Sequence, residues 1–81
     1  MDTVELRYDK EADAIYVRLR AGDYAYGEEL DPERRIDYSA DGKPIGVELL
    51  CASAGVDLRN LPEQDAISDL LTQHRIKVLA S

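Results

Sequence analysis

The sequence predicts an α+β fold, an antiparallel β-meander of four to five strands with one C-terminal helix packed on one face. Two stretches, residues 4–19 and 35–50, alternate apolar and polar side chains around a polar turn, which is typical of β-hairpins. A third stretch, residues 60–74, spaces its apolar residues as an amphipathic helix does. We expect this helix to cover the apolar face of the sheet, which otherwise has no cover.

The first predicted hairpin spans residues 4–19 and has a four-residue loop, Lys10 to Asp13. Side chains alternate with a period of two along a strand, so the apolar members of both strands share one face. A shift of one residue would move the whole apolar set into water, and the register is therefore well specified. The expected opposite residues are Val4–Leu19, Leu6–Val17 and Tyr8–Ile15 on the apolar face and Glu5–Arg18 on the other.

A third strand is expected from Tyr24 to Leu30, after a turn at residues 21–23. With a three-residue loop, it extends the polar face of the preceding strand into one surface made of Tyr16, Arg18, Arg20, Tyr24, Tyr26 and Glu28. With a two-residue loop, the last two of these residues face the core instead. The three-residue loop is preferred because it leaves no carboxylate beside Val17.

The second hairpin follows Asp31-Pro32, where proline ends the third strand because it lacks a backbone donor. Asp41-Gly42 predicts a two-residue type I′ turn. The expected opposite residues are Tyr38–Ile45 and Ile36–Val47 on the apolar face, with Arg35–Glu48 and Asp37–Gly46 on the other.

The helix is expected to start at Asn60, which has the residue type of an N-cap and is followed by Pro62 and Glu63. Its apolar stripe comprises Ala66, Ile67, Leu70, Leu71 and His74. The tail, residues 75–79, either returns as a short edge strand or docks on a second subunit. We expect one domain over residues 1–81, with the sheet in 4–53 and a helical tail in 54–81.

Composition limits the classes of partner. The 81 residues carry 17 acidic and 10 basic side chains, a net charge of −7, and contain neither Phe nor Trp. Without these large aromatic residues the core is small, and we expect a free energy of unfolding of only about 3–5 kcal/mol. Self-association as a homo-oligomer, preferably a dimer, would bury further apolar surface and is therefore favoured. The negative charge disfavours direct nucleic acid binding and favours a basic protein partner. Without a secretion signal or an apolar run of about 20 residues, we expect a cytoplasmic protein with no membrane contact.

The sequence predicts no catalytic residue, no metal site and no cofactor. His74 and Cys51 are single residues of their types, whereas metal sites need three or four ligands. His74 is expected at the helix C-terminus and Cys51 as a small buried side chain. Asp9, Glu11 and Asp13 alternate as in a calcium loop, but Ala14 stands where that loop needs glycine, which favours an Asx-turn.

Several short motifs together resemble a known family. They are Tyr8-Asp9, Glu11-Ala12-Asp13-Ala14, Tyr16-Val17-Arg18-Leu19, Glu28-Glu29, Asp37-Tyr38, Asp41-Gly42, Ile45-Gly46-Val47-Glu48-Leu49 and Ala52-Ser53. The chain resembles, over residues 4–53, the small bacterial family catalogued as domain of unknown function 2283. It departs from the family pattern at Glu33-Arg34-Arg35, where members usually carry glycine and apolar residues, and at Cys51, where many carry a polar residue. The resemblance implies a compact β-rich domain and, through genomic association with small toxin-like proteins, an antitoxin role.

The function predicted from these observations is a non-catalytic protein-binding module, antitoxin-like, that masks a basic toxin. The predicted binding surface is the set of six residues on the second and third strands, because Tyr and Arg dominate interface hot spots. One alternative is a small enzyme or ligand-binding protein whose site forms between subunits from Arg18, Tyr26 and Glu28. Another is a homodimeric structural module without catalysis.

Overall fold

The computed structural model describes residues 4–81 and has the α+β architecture that the sequence predicts. Residues 1–3, part of the predicted domain, lie outside the described residues. The main sheet has five antiparallel strands: β1 Glu5–Asp9, β2 Ala14–Arg18, β3 Tyr26–Asp31, β4 Arg34–Tyr38 and β5 Pro44–Leu50. They are followed by a 3₁₀ turn Ala52–Ala54, β6 Val56–Asp57, helix α1 Gln64–Gln73 and β7 Val78–Ala80. Within residues 4–81, no helix is both long and apolar enough to cross a bilayer.

The order of the strands in the sheet is β1-β2-β5-β4-β3, so the meander is not continuous. β3, β4 and β5 follow one another as expected, but β2 pairs with β5 and not with β3. The chain continues beside β5 for one residue after β2 ends, since Leu19 N–H donates to Ile45 O at 2.8 Å. Placing β5 inside the sheet buries Val47 and Leu49, whereas the more acidic β3 takes an edge.

The first hairpin has the predicted loop and register. Leu6 lies opposite Val17, Tyr8 opposite Ile15 and Glu5 opposite Arg18. The Asx-turn is also confirmed, because Asp9 Oδ1 accepts hydrogen bonds from the N–H groups of Glu11 and Ala12 at 3.1 and 3.2 Å. The remaining predicted apolar pair, Val4 with Leu19, lies beyond the ends of the two strands.

The second hairpin has the predicted register only in part. Ile36–Val47, Arg35–Glu48 and Asp37–Gly46 are opposite each other, but a bulge then places Tyr38 opposite Pro44 instead of Ile45. The type I′ turn is wrong as well. Of the two turn residues Asp41 and Gly42, only Gly42 has a positive φ, and its N–H donates to Ser39 O at 2.9 Å, so the loop is longer than two residues.

The core lies between one face of the sheet and the C-terminal part of the chain. Its sheet members include Val17, Ile36 and Val47, and its cover consists of Val56, Leu58, Leu61, Ile67 and Leu71. Leu6, on edge strand β1, is partly buried against this cluster. Both hairpins therefore turn their apolar side chains to the side that the helix covers, as the sequence predicts.

The helix begins later than expected. Asn60 and Glu63 both have positive φ, and the helix starts at Gln64 without a side-chain cap. An irregular turn precedes the helix and buries Leu61 in the core. The predicted start at Asn60 did not take this burial into account. His74 is the C-cap residue, in agreement with the prediction. The tail forms a strand, β7, which pairs in parallel with β6, so α1 connects two parallel strands.

Candidate functional site

The six residues of the predicted binding surface do not share one face. Tyr16 and Arg18 lie on the face of the sheet away from the helix, which we call the outer face. Tyr26 and Glu28 lie on the opposite face, since Glu28 is opposite the buried Ile36. The expected shared face does not form because β3 pairs with β4 at the far edge of the sheet, with β5 and β4 between it and β2. A site built from Arg18, Tyr26 and Glu28 would therefore need more than one copy of the chain.

Tyr16 lies across the central strand on the outer face. Its hydroxyl donates a hydrogen bond to Asp37 Oδ2 at 3.2 Å, from β2 over β5 to β4. The ring can take this path because Gly46 on β5 has no side chain: a Cβ there would lie 1.9 Å from Tyr16 Oη. Partial burial, and then the negative charge of Asp37, raise the pKa of Tyr16, so its hydroxyl stays a neutral donor.

Tyr24 joins the same polar arrangement through Arg35. The Nη2 of Arg35 donates to Tyr24 Oη at 2.8 Å, and its Nε lies 3.4 Å from Asp37 Oδ1. The guanidinium lies over Gly27, where a Cβ would be 2.5 Å from Nη2. We call Tyr16, Asp37, Arg35 and Tyr24 the outer-face row. Sequence reasoning missed its two middle members, although the two strand glycines beneath the row were a signal for close side-chain approach.

The free edge at β3 is acidic and carries tyrosines. Tyr24 is 56% exposed and Tyr26 48%, and Glu28 and Glu29 are also exposed. Tyr26 stacks on Tyr38 with ring centroids 5.1 Å apart, which fixes its ring on β4. Within residues 4–81, neither Glu28 nor Glu29 forms an ion pair. We call the set Tyr24, Tyr26, Glu28 and Glu29 the acidic edge.

Arg20, the remaining member of the predicted surface, lies elsewhere. It follows β2, and its Nη2 is 3.3 Å from Glu63 Oε2, just before the helix. Its Nε is buried and has no hydrogen-bond partner among the described residues. Arg20 thus holds the start of the helix to the sheet and adds nothing to the outer-face row.

Asp13 connects the first hairpin loop to the segment after β5. It accepts hydrogen bonds from Tyr8 Oη at 2.9 Å, from Ser53 N–H at 2.9 Å and from Ser53 Oγ at 2.6 Å. The bond from the Ser53 hydroxyl, followed by that from Tyr8, lowers the pKa of Asp13 below its usual range. These residues belong to the motifs Tyr8-Asp9, Glu11-Ala12-Asp13-Ala14 and Ala52-Ser53, and in this chain their side chains stabilise the fold.

Arg34 holds the C-terminal part of the chain to the sheet. Its Nε donates to Asp31 Oδ2 at 2.8 Å, and its Nη1 donates to the backbone carbonyls of Asp57 and Arg59. The side chain is only 12% exposed. Asp57 in turn binds the guanidinium of Arg59, which holds the pKa of Asp57 far below its usual range. Arg34 and Arg35 therefore both have defined contacts in this chain.

Two residue classes that the sequence singled out, metal ligands and the single cysteine, can be placed in the structure. Among residues 4–81, no group of three or more His, Cys, Asp or Glu side chains could hold a metal ion. Cys51 is exposed with a positive φ, so the expectation that it is buried is wrong. The carboxylate of Glu33 raises the pKa of the Cys51 thiol, which disfavours the reactive thiolate. A cleft of about 190 Å³ lies beside β6 and β7, lined partly by Leu49, Leu50 and Leu79.

Of three comparisons with known proteins, the one with protein families found a match. No curated protein and no solved structure matches the chain. The family model "Protein of unknown function (DUF2283)" matches residues 5–53, which include the whole five-stranded sheet, the Asp13–Ser53 connection and the outer-face row. That match covers more than half of the chain, and the protein belongs to this family.

Proposed function

We propose that this protein is a non-catalytic binding module for a basic protein, an antitoxin-like partner that masks a basic toxin. The observation that supports this proposal best is the acidic edge. There, two exposed tyrosines and two unpaired carboxylates lie in β3 or just before it, and the free edge of this strand has no neighbour among the described residues.

The acidic edge suits strand addition by a partner. An edge strand presents unpaired N–H and C=O groups that a second chain can bind as an additional strand. No basic residue occurs in β3, from Tyr26 to Asp31, so an added strand with Lys or Arg would gain opposite-charge pairs across it. Charge complementarity of this kind mainly determines specificity and the rate of association.

The tyrosines would provide the apolar part of the interface. Tyr26 is held by its stack on Tyr38, and Tyr24 by the hydrogen bond from Arg35. Rings fixed before binding lose little conformational freedom when a partner covers them, and this favours affinity. Tyrosine is also among the residues most enriched in interface hot spots.

The remaining parts of the proposal concern the setting. We propose that the protein acts in the bacterial cytoplasm without contact with a membrane, and that it self-associates as a dimer. Its net charge of −7 disfavours direct binding to nucleic acid, so any effect on RNA or DNA would be exerted through the bound partner.

The test is a binding measurement with the purified product of the adjacent reading frame. We expect a complex at micromolar concentration whose affinity falls as salt is raised, because exposed charges are screened. Absence of a complex at that concentration would remove the proposal.

A pair of matched variants tests the surface. Glu28→Lys combined with Glu29→Lys reverses two charges on the acidic edge, and we expect this variant to lose the complex. Glu11→Lys combined with Asp69→Lys makes the same change in net charge at two other exposed positions and should bind normally. Equal loss in both variants would mean that only total charge matters and that β3 is not the binding edge.

A further inference from the structure

Edge strand β1, Glu5–Asp9, has a charge pattern that is complementary to itself. It lies at the opposite end of the sheet from the acidic edge, and one of its sides has no neighbour among the described residues. Glu5 and Arg7 lie on the outer face, and Leu6 and Tyr8 on the core face. Within residues 4–81, neither Glu5 nor Arg7 forms an ion pair.

We infer that β1 pairs antiparallel with β1 of a second copy, about a two-fold axis at Leu6, so that two sheets become one. This inference rests on the self-association proposed above and names its surface. A two-fold axis normal to the sheet keeps both apolar faces on the same side and makes the interface isologous. The opposite residues are then Leu6 with Leu6, Glu5 with Arg7 and Val4 with Tyr8.

The neighbouring axes give poorer pairs. An axis at Glu5 places two carboxylates opposite each other, and an axis at Arg7 places two guanidiniums opposite each other, with Glu5 facing Asp9. Like charges in direct opposition destabilise a pair of strands. An axis at Tyr8 would bring the hairpin loop, which begins at Lys10, into the region of pairing. The axis at Leu6 joins opposite charges twice and uses most of the strand.

The apolar side chains of β1 would gain cover in this dimer. Leu6 is only partly buried against the core, and Tyr8 is exposed in the single chain. Pairing would place Leu6 of each copy against the other and remove apolar surface from water. A five-residue pairing is a small interface, so we expect a dimer with a dissociation constant in the micromolar range.

The acidic edge is a poor surface for a second copy of this chain. β3 carries Glu28, Glu29 and Asp31 and no cation, so pairing it with itself would bring six carboxylates together, three from each chain. The two ends of the sheet therefore differ: β1 matches itself, whereas β3 calls for a basic strand. A partner at β3 would leave the β1 dimer intact.

Sedimentation equilibrium of charge-reversed variants tests the register. Arg7→Glu places Glu5 opposite a glutamate, and Glu5→Arg places Arg7 opposite an arginine, so each variant should self-associate about tenfold more weakly than the natural chain. An equimolar mixture of the two variants restores opposite charges at both pairs and should dimerise like the natural chain. Lys77→Glu changes the net charge as Arg7→Glu does, outside β1, and should dimerise normally.

Each result is decisive once circular dichroism shows that the variants are folded. Weak self-association of the single variants and recovery in the mixture would support the two-fold axis at Leu6. Dimerisation of the single variants as strong as that of the natural chain, or no recovery in the mixture, would overturn this inference and leave the proposed self-association standing. A natural chain that stays monomeric from about 10 µM to about 1 mM, the range in which so small an interface should fill, would overturn both.

Discussion

Because Tyr16 lies directly over Gly46, we predict that Gly46→Ala lowers the free energy of unfolding in the natural chain and raises it when the Tyr16 ring is removed. An alanine Cβ at position 46 would lie 1.9 Å from Tyr16 Oη and 2.4 Å from Cζ, far inside van der Waals contact. Gly46 does not have a positive φ, so an alanine at this position causes no backbone strain. The ring must therefore move off the strand and give up its 3.2 Å hydrogen bond to Asp37.

The magnitude follows from two opposing terms. Losing a hydrogen bond to the carboxylate of Asp37, whose side chain is only 18% exposed, together with some ring contact, destabilises the fold by about 2 kcal/mol. Replacing a strand glycine by alanine stabilises it by about 0.5–1 kcal/mol. We expect Gly46→Ala to lower the free energy of unfolding by about 1 kcal/mol in the natural chain. In a Tyr16→Ala background, where the space is empty, we expect it to raise that free energy by about 0.5 kcal/mol.

Urea unfolding of the four proteins in this double-mutant cycle measures the coupling, which we expect to be about 1.5 kcal/mol. Gly27→Ala is the control, because its Cβ would meet the flexible end of Arg35, which can move into solvent, and the change should be nearly neutral. If Gly46→Ala has the same effect with and without the Tyr16 ring, the close packing of ring and strand is refuted.

Three further predictions concern the fold. Because hydrogen bonds from Ser53 and Tyr8 lower the folded-state pKa of Asp13, its contribution is present above the unfolded value of about 3.9 and is lost as pH falls through the folded pKa. Asp13→Asn should thus flatten the urea midpoint plotted against pH in the acid range. Arg34→Ala should lower the free energy of unfolding by about 2 kcal/mol. It should also accelerate amide hydrogen exchange more in β6 and β7 than in the main sheet. Ile67→Ala should cost about 3 kcal/mol in urea unfolding, whereas Asp69→Ala, on the exposed side of α1, should change little.

The sequence determined the local pairings better than the distant ones. In the first hairpin, the three predicted pairs that lie within its strands are all confirmed, because the loop is short and the apolar residues alternate without interruption. The second hairpin was correct until Tyr38, where a bulge that leaves no mark on the alternation shifts the pairing.

The neighbour of β2 could not be predicted in the same way. Its partner β5 lies about 30 residues further along the chain, and alternation states which face is apolar but not which strand is adjacent. That single error separated Tyr16 and Arg18 from Tyr26 and Glu28 in the predicted site. The helix start was misplaced for a related reason, because the burial of Leu61 depends on tertiary contacts that Asn60 and Pro62 do not reveal.

The family match ends at residue 53, yet five of the buried side chains over the sheet, from Val56 to Leu71, come after it. A truncated chain ending there would keep every strand of the main sheet and would still expose one of its faces as bare hydrocarbon. Such a fragment should precipitate, or bind dyes that recognise exposed apolar surface, instead of forming a stable folded monomer. The residues that match the family model therefore do not bury their own sheet, and in this chain the cover comes from the segment after residue 53.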